Sequence, residues 1–297
     1  MRRLAIGLFL LSLPGVPAAA QNFDTVTVRV VPVTRGVAML VGAGGNLAVA
    51  WGDDATFLVD DQFAPLTEKI RAAIGTLTRQ PVRFVLNTHW HFDHVGGNEN
   101  LGKAGALIVA HDNVRVRMST DQFSKVFNRT TPASPKGALP VVTFTDAVTF
   151  HLNGDEINAV HIPPAHTDGD ALVWFKRANV IHMGDTYFNG RYPFIDLESG
   201  GSLEGVIGAA DRALGLANDS TRIIPGHGEL SNKAELAQYR DVLVAARDRV
   251  RKLIAEGKTL DQIIAAKPMA EYDDRMGKGF INPERFLGTV YASLGGK

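Results

Sequence analysis

The chain of 297 residues contains no cysteine. That absence removes disulfide bridges as a source of stability and thiolates from any set of metal ligands, leaving core packing and nitrogen or oxygen donors. Excess charge of one sign is also missing, since 31 Lys and Arg residues balance 31 Asp and Glu residues. Without a basic surplus there is no electrostatic case for binding nucleic acid. The apolar stretch from Leu4 to Leu13 falls short of the roughly 20 residues that a membrane-spanning helix needs. No Ser/Pro-rich linker or charge block divides the chain, so one domain is expected.

The first twenty residues have the layout of an export signal. Arg2 and Arg3 form a basic start, Leu4–Leu13 an apolar run, and Ala18, Ala19 and Ala20 a small-residue cleavage pattern ending before Gln21. The expectation is a signal peptide at 1–20 and a single mature domain at 21–297, periplasmic or secreted and free of the membrane after cleavage. With Arg2 and Arg3 removed, the charge balance moves by two towards the acidic side. Oligomeric state leaves no mark in the sequence.

Short apolar runs at Val26–Val33, Val37–Val41, Leu47–Trp51 and Thr56–Val59, parted by turn-formers such as Gly42–Asn46, predict antiparallel strands. Leu66, Ile70 and Ile74 then share a helix face behind Pro65, and Val82–Leu86 reads as a strand buried on both sides. The stretch from Ser119 to Pro140 reads as a loop or mobile cover. Further strands are expected between Val141 and His182 and at Thr221–Ile224, with helices around Leu203–Leu214, Lys233–Glu256 and after Thr259. Sheet with helix followed by sheet with helix implies an α/β fold of two halves packed face to face, a four-layer αββα sandwich.

The chemistry concentrates in Thr88-His89-Trp90-His91-Phe92-Asp93-His94, which leaves a buried strand and turns towards a helix. In an extended stretch His89 and His91 project to one side, within reach of one metal, and the turn carries Asp93 and His94 to a second position. Three later turns each place one more donor just past a strand: His166, Asp185 and His227. Structural zinc sites usually close four-coordinate shells with cysteine, whereas seven nitrogen and oxygen donors with no cysteine suit a catalytic centre with open positions.

The order His-x-His-x-Asp-His, then single His, Asp and His positions, resembles the metallo-β-lactamase superfamily, as do the Gly44-Gly45-Asn46 turn and the Asp60-Asp61 pair. The resemblance implies two zinc ions, the first on His89, His91 and His166 and the second on Asp93, His94 and His227, with Asp185 bridging them. It also implies a hydrolase acting on a small-molecule substrate, in which zinc lowers the pKa of a bound water and polarises the bond attacked, with Asp93 as a proton acceptor. Thr88, Asp168 and Asp170 are candidates to hold the imidazoles from behind, and His161 and His182 are further ones; His111 and His151 fit no part of the pattern.

For substrate, export favours a β-lactam, and His166–Asp170 resembles the β-lactamase branch. The chain departs from that branch at Asp185, where cysteine or serine is usual, and at Phe188, where one type has lysine. A bridging aspartate resembles the thioesterase and lactonase branches, and phosphodiester cleavage is compatible with it. Tyr187, Asn189, Arg191 and Tyr192 either face the substrate or pack as an ordinary loop, and Met39, Leu40 and the Gly-rich turn after them either form an apolar flap or pack as strand. A zinc-binding protein without catalysis is the reading from another class.

Overall fold

A computed structural model describes residues 22–126 and 128–296. The expected signal segment at 1–20 lies outside them. Strands β1 (Arg29–Thr34), β2 (Val37–Val41), β3 (Leu47–Trp51) and β4 (Thr56–Val59) form an antiparallel meander. Helix α1 (Thr67–Gly75) leads into β5 (Val82–Leu86), then short helices α2 (Phe92–Val95) and α3 (Asn98–Lys103), β6 (Leu107–His111) and α4 (Asp112–Met118). A two-stranded hairpin, β7 (Gln122–Ser124) with β8 (Arg129–Thr131), precedes β9 (Val142–Phe144). β4, β5, β6 and β9 run parallel, completing a seven-stranded sheet.

The second sheet has six strands: β10 (Ala147–Leu152), β11 (Asp155–His161), β12 (Ala171–Phe175), β13 (Val180–His182), β14 (Arg222–Ile224) and β15 (Ser231–Asn232). Its outer face carries α5 (Leu203–Leu216), α6 (Lys233–Ala255), α7 (Leu260–Ala266), α8 (Ala270–Met276) and α9 (Pro283–Ser293).

The four layers follow from which side chains alternate where. Successive strand residues point to opposite faces. Met39, Ala48, Phe57 and Val59 turn inward and meet Ile157, Ala159, Val173 and Phe175 of the other sheet. Their neighbours Leu40, Leu47, Val49 and Leu58 turn outward and bury Leu66, Ile70 and Ile74 of the first helical layer. On the far side Leu172, Ile181 and Ile223 receive α5 and α6. Both faces of the central strands are therefore apolar, which is why they read as continuous hydrophobic runs. Phe57 sits fully buried between the sheets, edge-on to Phe150 and Phe175; truncating a ring so placed costs about 3–5 kcal/mol.

The helices begin where capping chemistry places them. Asn232 accepts a hydrogen bond from the Glu235 amide at the start of α6, and Thr259 and Gln262 form a reciprocal capping box on α7. Three expectations change. The 119–140 stretch is not a bare loop, since it contains the β7–β8 hairpin and a 3-10 turn at Lys136–Ala138. Met39 and Leu40 form no flap; β2 holds both with no exposure at all. Helices α8 and α9 form where the pattern predicts nothing; α8 buries Met276 and α9 a stripe of Phe286, Leu287, Val290 and Tyr291. Among the described residues no helix is long and apolar enough to cross a membrane.

Candidate metal centre

All seven predicted donors come together at one end of the two sheets. His89, His91 and the short helix bearing Asp93 and His94 follow β5; His166 lies between β11 and β12; Asp185 follows β13 and His227 follows β14. Because β13 and β14 are parallel, their following turns emerge side by side. The segment of His89 and His91 is bent rather than extended, and α2 then turns Asp93 and His94 into position.

The donors fall into two sets whose atoms lie within 4.8 Å of one another: His89, His91, His166 and Asp185, and Asp93, His94 and His227. The His166 Nε2 and His91 Nδ1 atoms are 2.8 Å apart. Asp185 faces both sets. Its Oδ2 lies 3.7 Å from His166 Nε2, 4.0 Å from His89 Nε2 and 3.3 Å from His227 Nε2, and its Oδ1 lies 3.1 Å from His94 Nε2. Asp93 Oδ2 is 3.5 Å from His227 Nε2 and 3.7 Å from His94 Nε2.

This donor set fits cations. His89 Nε2, His94 Nε2 and Asp185 Oδ1 are buried and, among the described residues, none makes an aligned hydrogen bond; the 3.1 Å approach of His94 Nε2 to Asp185 Oδ1 is a close contact without that alignment. A buried polar atom without a partner is costly, and imidazole nitrogens and carboxylate oxygens converging at this spacing are suited to divalent metal.

Electrostatics separate the sets. Burial drives the His89 imidazole well below its usual range, helped by repulsion from His94 and His166, and pushes His166 down to about 4. For His94 and His227 burial acts the same way but is outweighed by carboxylates. Asp185, Asp93 and Asp60 hold His94 well above its usual range, and Asp185 and Asp93 raise His227 to about 9. Burial opposes charge on Asp185 and Asp93, yet the neighbouring imidazoles keep both carboxyls below the usual range.

The free ring nitrogens are held from behind, which fixes each imidazole's rotation and tautomer. Thr88 Oγ1 lies 3.0 Å from His89 Nδ1 and donates to Asp60 Oδ2 at 2.8 Å. The same Asp60 oxygen takes His94 Nδ1 at 2.8 Å. His91 Nε2 meets Asp196 Oδ2 at 2.9 Å, and Ser199 donates to that oxygen at 2.6 Å. The Asp196 carboxyl falls to about 2; burial opposes this, but the His91 hydrogen bond and charge prevail. His166 Nδ1 lies 2.7 Å from the Phe194 carbonyl.

Thr88 thus does what its position suggests, whereas Asp168 pairs with Arg117 and Asp170 accepts from the backbone amides of His166 and Thr167. His182 steadies the Asp185 turn, accepting from the Gly184 amide and contacting the Asn46 carbonyl. His161 stacks on His111 instead. Asp196, Ser199 and Phe194 lie in a segment whose spacing announces nothing; an Asp-x-x-Ser cap was the one available signal, and Asp196 does accept from the Ser199 amide.

The turn at Asn46 joins the halves. Its amide donates to the Gly226 carbonyl, and its side chain donates to Pro225 and Gly228. Glycine is required beside it, since a Cβ at Gly45 would overlap the His94 ring. On the strand side, Asp60 and Gln62 adopt left-handed backbone at φ 59° and 55°, a strained choice for residues with a Cβ.

A cavity of about 290 Å³ opens onto His91, Asp93, Asp185 and His227. Of the four residues read as substrate-facing or loop packing, Arg191 and Tyr192 line it. Tyr187 is buried against Ser231, and Asn189 donates to the Glu229 carbonyl. The Tyr192 hydroxyl itself is spent on Asp273.

A family model described as the metallo-beta-lactamase superfamily matches residues 42–227. The α subunit of a 2,4-dinitroanisole O-demethylase from Nocardioides sp. (strain JS1661) is 26% identical over 146 residues; these are 47% of this chain and 40% of that protein. The chain therefore spans well under two thirds of that relative. A hydroxyacylglutathione hydrolase from Gloeobacter violaceus is 24% identical over 265 residues, covering 81% of this chain and 94% of its own. Among solved structures, a metallo-beta-lactamase from Pontibacter korlensis superposes with a TM-score of 0.61 at 18% identity, covering 73% of this chain and 99% of that one. At that identity the likeness is one of fold.

Proposed function

The chain belongs to the metallo-β-lactamase superfamily of hydrolases, and on that premise we propose that it is a dinuclear zinc enzyme cleaving an acyl bond in a small molecule. The bond is an ester, thioester, lactone or β-lactam. The observation that carries the reading is Asp185, whose carboxylate lies between both donor sets at the floor of an open cavity. His89, His91 and His166 would hold one ion and Asp93, His94 and His227 the other, with Asp185 common to both. When bound, zinc supplies Lewis-acid activation of water and of the scissile bond.

The chain's own groups do the rest. Asp93, partly exposed at the cavity, accepts the proton released as water attacks, and His227 beside it holds that carboxylate in place. The cavity walls hold the substrate over the donors and keep bulk water from competing. Aspartate at 185 supports acyl esters and thioesters at least as well as β-lactams, in keeping with the acyl–glutathione substrate in the name of the Gloeobacter relative. Export to the periplasm or medium through residues 1–20 is part of the same proposal.

The test is zinc content of the purified mature protein together with turnover of a chromogenic β-lactam, a lactone, an acyl-glutathione and bis(nitrophenyl) phosphate. Two zinc ions per chain and chelator-sensitive turnover of an acyl substrate are expected, lost in His89→Ala. Turnover of the phosphodiester alone, or none that depends on metal, would refute the acyl-hydrolase reading.

A further inference from the structure

Resting on the hydrolase reading above, we propose that the cavity takes an apolar substrate bearing one negative charge, its ring or chain against Phe92 and Phe280 and its anionic group on Arg191. The walls supply the first half of the argument. Phe92 and Phe280 are large aromatic side chains left 45% and 53% exposed, and both line this cavity. Each has an aromatic neighbour on the same wall: Phe63 lies 5.7 Å from Phe92, and Phe194 lies 6.4 Å from Phe280, centroid to centroid. Exposed rings grouped around one opening are a ligand-facing patch, unlike single apolar residues scattered over a surface. The Phe280 ring is also held in place, with the Arg285 guanidinium 5.2 Å from its centroid.

Charge supplies the second half. Apart from the candidate metal ligands, Arg191 is the charged residue lining the cavity, and it is exposed. Among the described residues it has no ion pair or hydrogen bond. Its stem packs on the turn that carries Phe280, since a Cβ at Gly279 would lie 3.4 Å from Arg191 Cβ and 3.6 Å from its Cδ. The guanidinium and the ring therefore belong to one wall. A planar donor fork beside apolar rings suits a carboxylate or sulfonate oxygen pair. A neutral apolar ligand leaves that cation unused, and a polyanion such as a nucleotide leaves extra charge against the rings without a partner.

Two fluorescent probes with the same aromatic body separate these terms: anilinonaphthalene sulfonate, an anion, and phenylnaphthylamine, which is neutral. Binding to the zinc-loaded protein is measured for wild type, Arg191→Glu and Phe280→Ala. The sulfonate is expected to bind wild type more tightly. Arg191→Glu weakens the sulfonate by about tenfold, equivalent to about 1.4 kcal/mol, and moves the neutral probe less than about twofold; Phe280→Ala weakens both by a similar factor. Equal binding of the two probes to wild type, or an Arg191→Glu effect that is the same for both, would overturn the proposal. Since binding is read without turnover, a protein that binds as expected yet hydrolyses nothing would refute the hydrolase reading alone.

Discussion

The two donor sets lie side by side but are built on opposite electrostatic plans. The inner set, His89, His91, His166 and Asp185, is buried throughout, while Asp93 and His227 of the outer set are partly exposed. Burial presses His89 and His166 towards neutrality, with His166 down to about 4. Outer imidazoles are drawn towards charge by carboxylates, with His227 up to about 9. A neutral, pre-aimed imidazole is ready to take a cation, whereas a protonated one must first surrender its proton. The expectation is that metal binding depends more steeply on pH at the outer set than at the inner one.

The strongest way to break this comparison is Asp185→Asn, because that carboxylate faces both halves. We expect a fall in kcat of about a hundredfold to a thousandfold, as for loss of a charge-stabilising group at a reacting centre, and retention of one zinc where wild type keeps two. Two tightly held ions in this variant would show that Asp185 does not couple the sets.

Asp196→Asn tests the inner half by itself. Withdrawing the carboxylate behind His91 should weaken the inner ion by about 10- to 100-fold, read by competition with a chromogenic chelator, with the outer ion little changed. Equal weakening of both ions would mean that the halves are not separately supported.

Acidity tests the outer half. The carboxylates that raise His94 and His227 imply that a metal ion entering the outer set displaces protons. Outer affinity should rise as pH increases towards about 9, the His227 value, more steeply than inner affinity over the same range. Calorimetry in buffers of differing ionisation enthalpy counts the protons released; a count of zero for the outer ion would contradict the charge assignment. The smallest effect is expected from Arg117→Ala, which opens the paired contact to Asp168, a residue that bonds to none of the donor-set imidazoles. Stability should drop by about 1–2 kcal/mol with both ions retained, and metal loss would place Asp168 closer to the chemistry than its geometry does.

How much of this could be read in advance depends on whether a residue's partner is near it in sequence. His89 to His94 are legible because four donors crowd one strand-to-helix turn, and the strands carrying Asp185 and His227 announce themselves by apolar runs. The cap at Asn232 and the box at Thr259 and Gln262 are local, and both occur as their spacing implies. The groups behind the imidazoles are another matter. Asp196 reaches His91 from more than a hundred residues away, and no periodicity marks such a contact. Asp168 and Asp170 sit nearer to His166 in sequence yet spend their oxygens on Arg117 and on backbone amides. Helix α9 hides for a further reason, because its stripe of Phe286, Leu287, Val290 and Tyr291 makes sense only against the second sheet's helical layer.

Asp60 ties the two donor sets together. One of its oxygens serves His94 directly and His89 through Thr88, so a single carboxylate braces an imidazole of each set. A substitution there cannot tune one ion and spare the other, and effects of residues so coupled do not add.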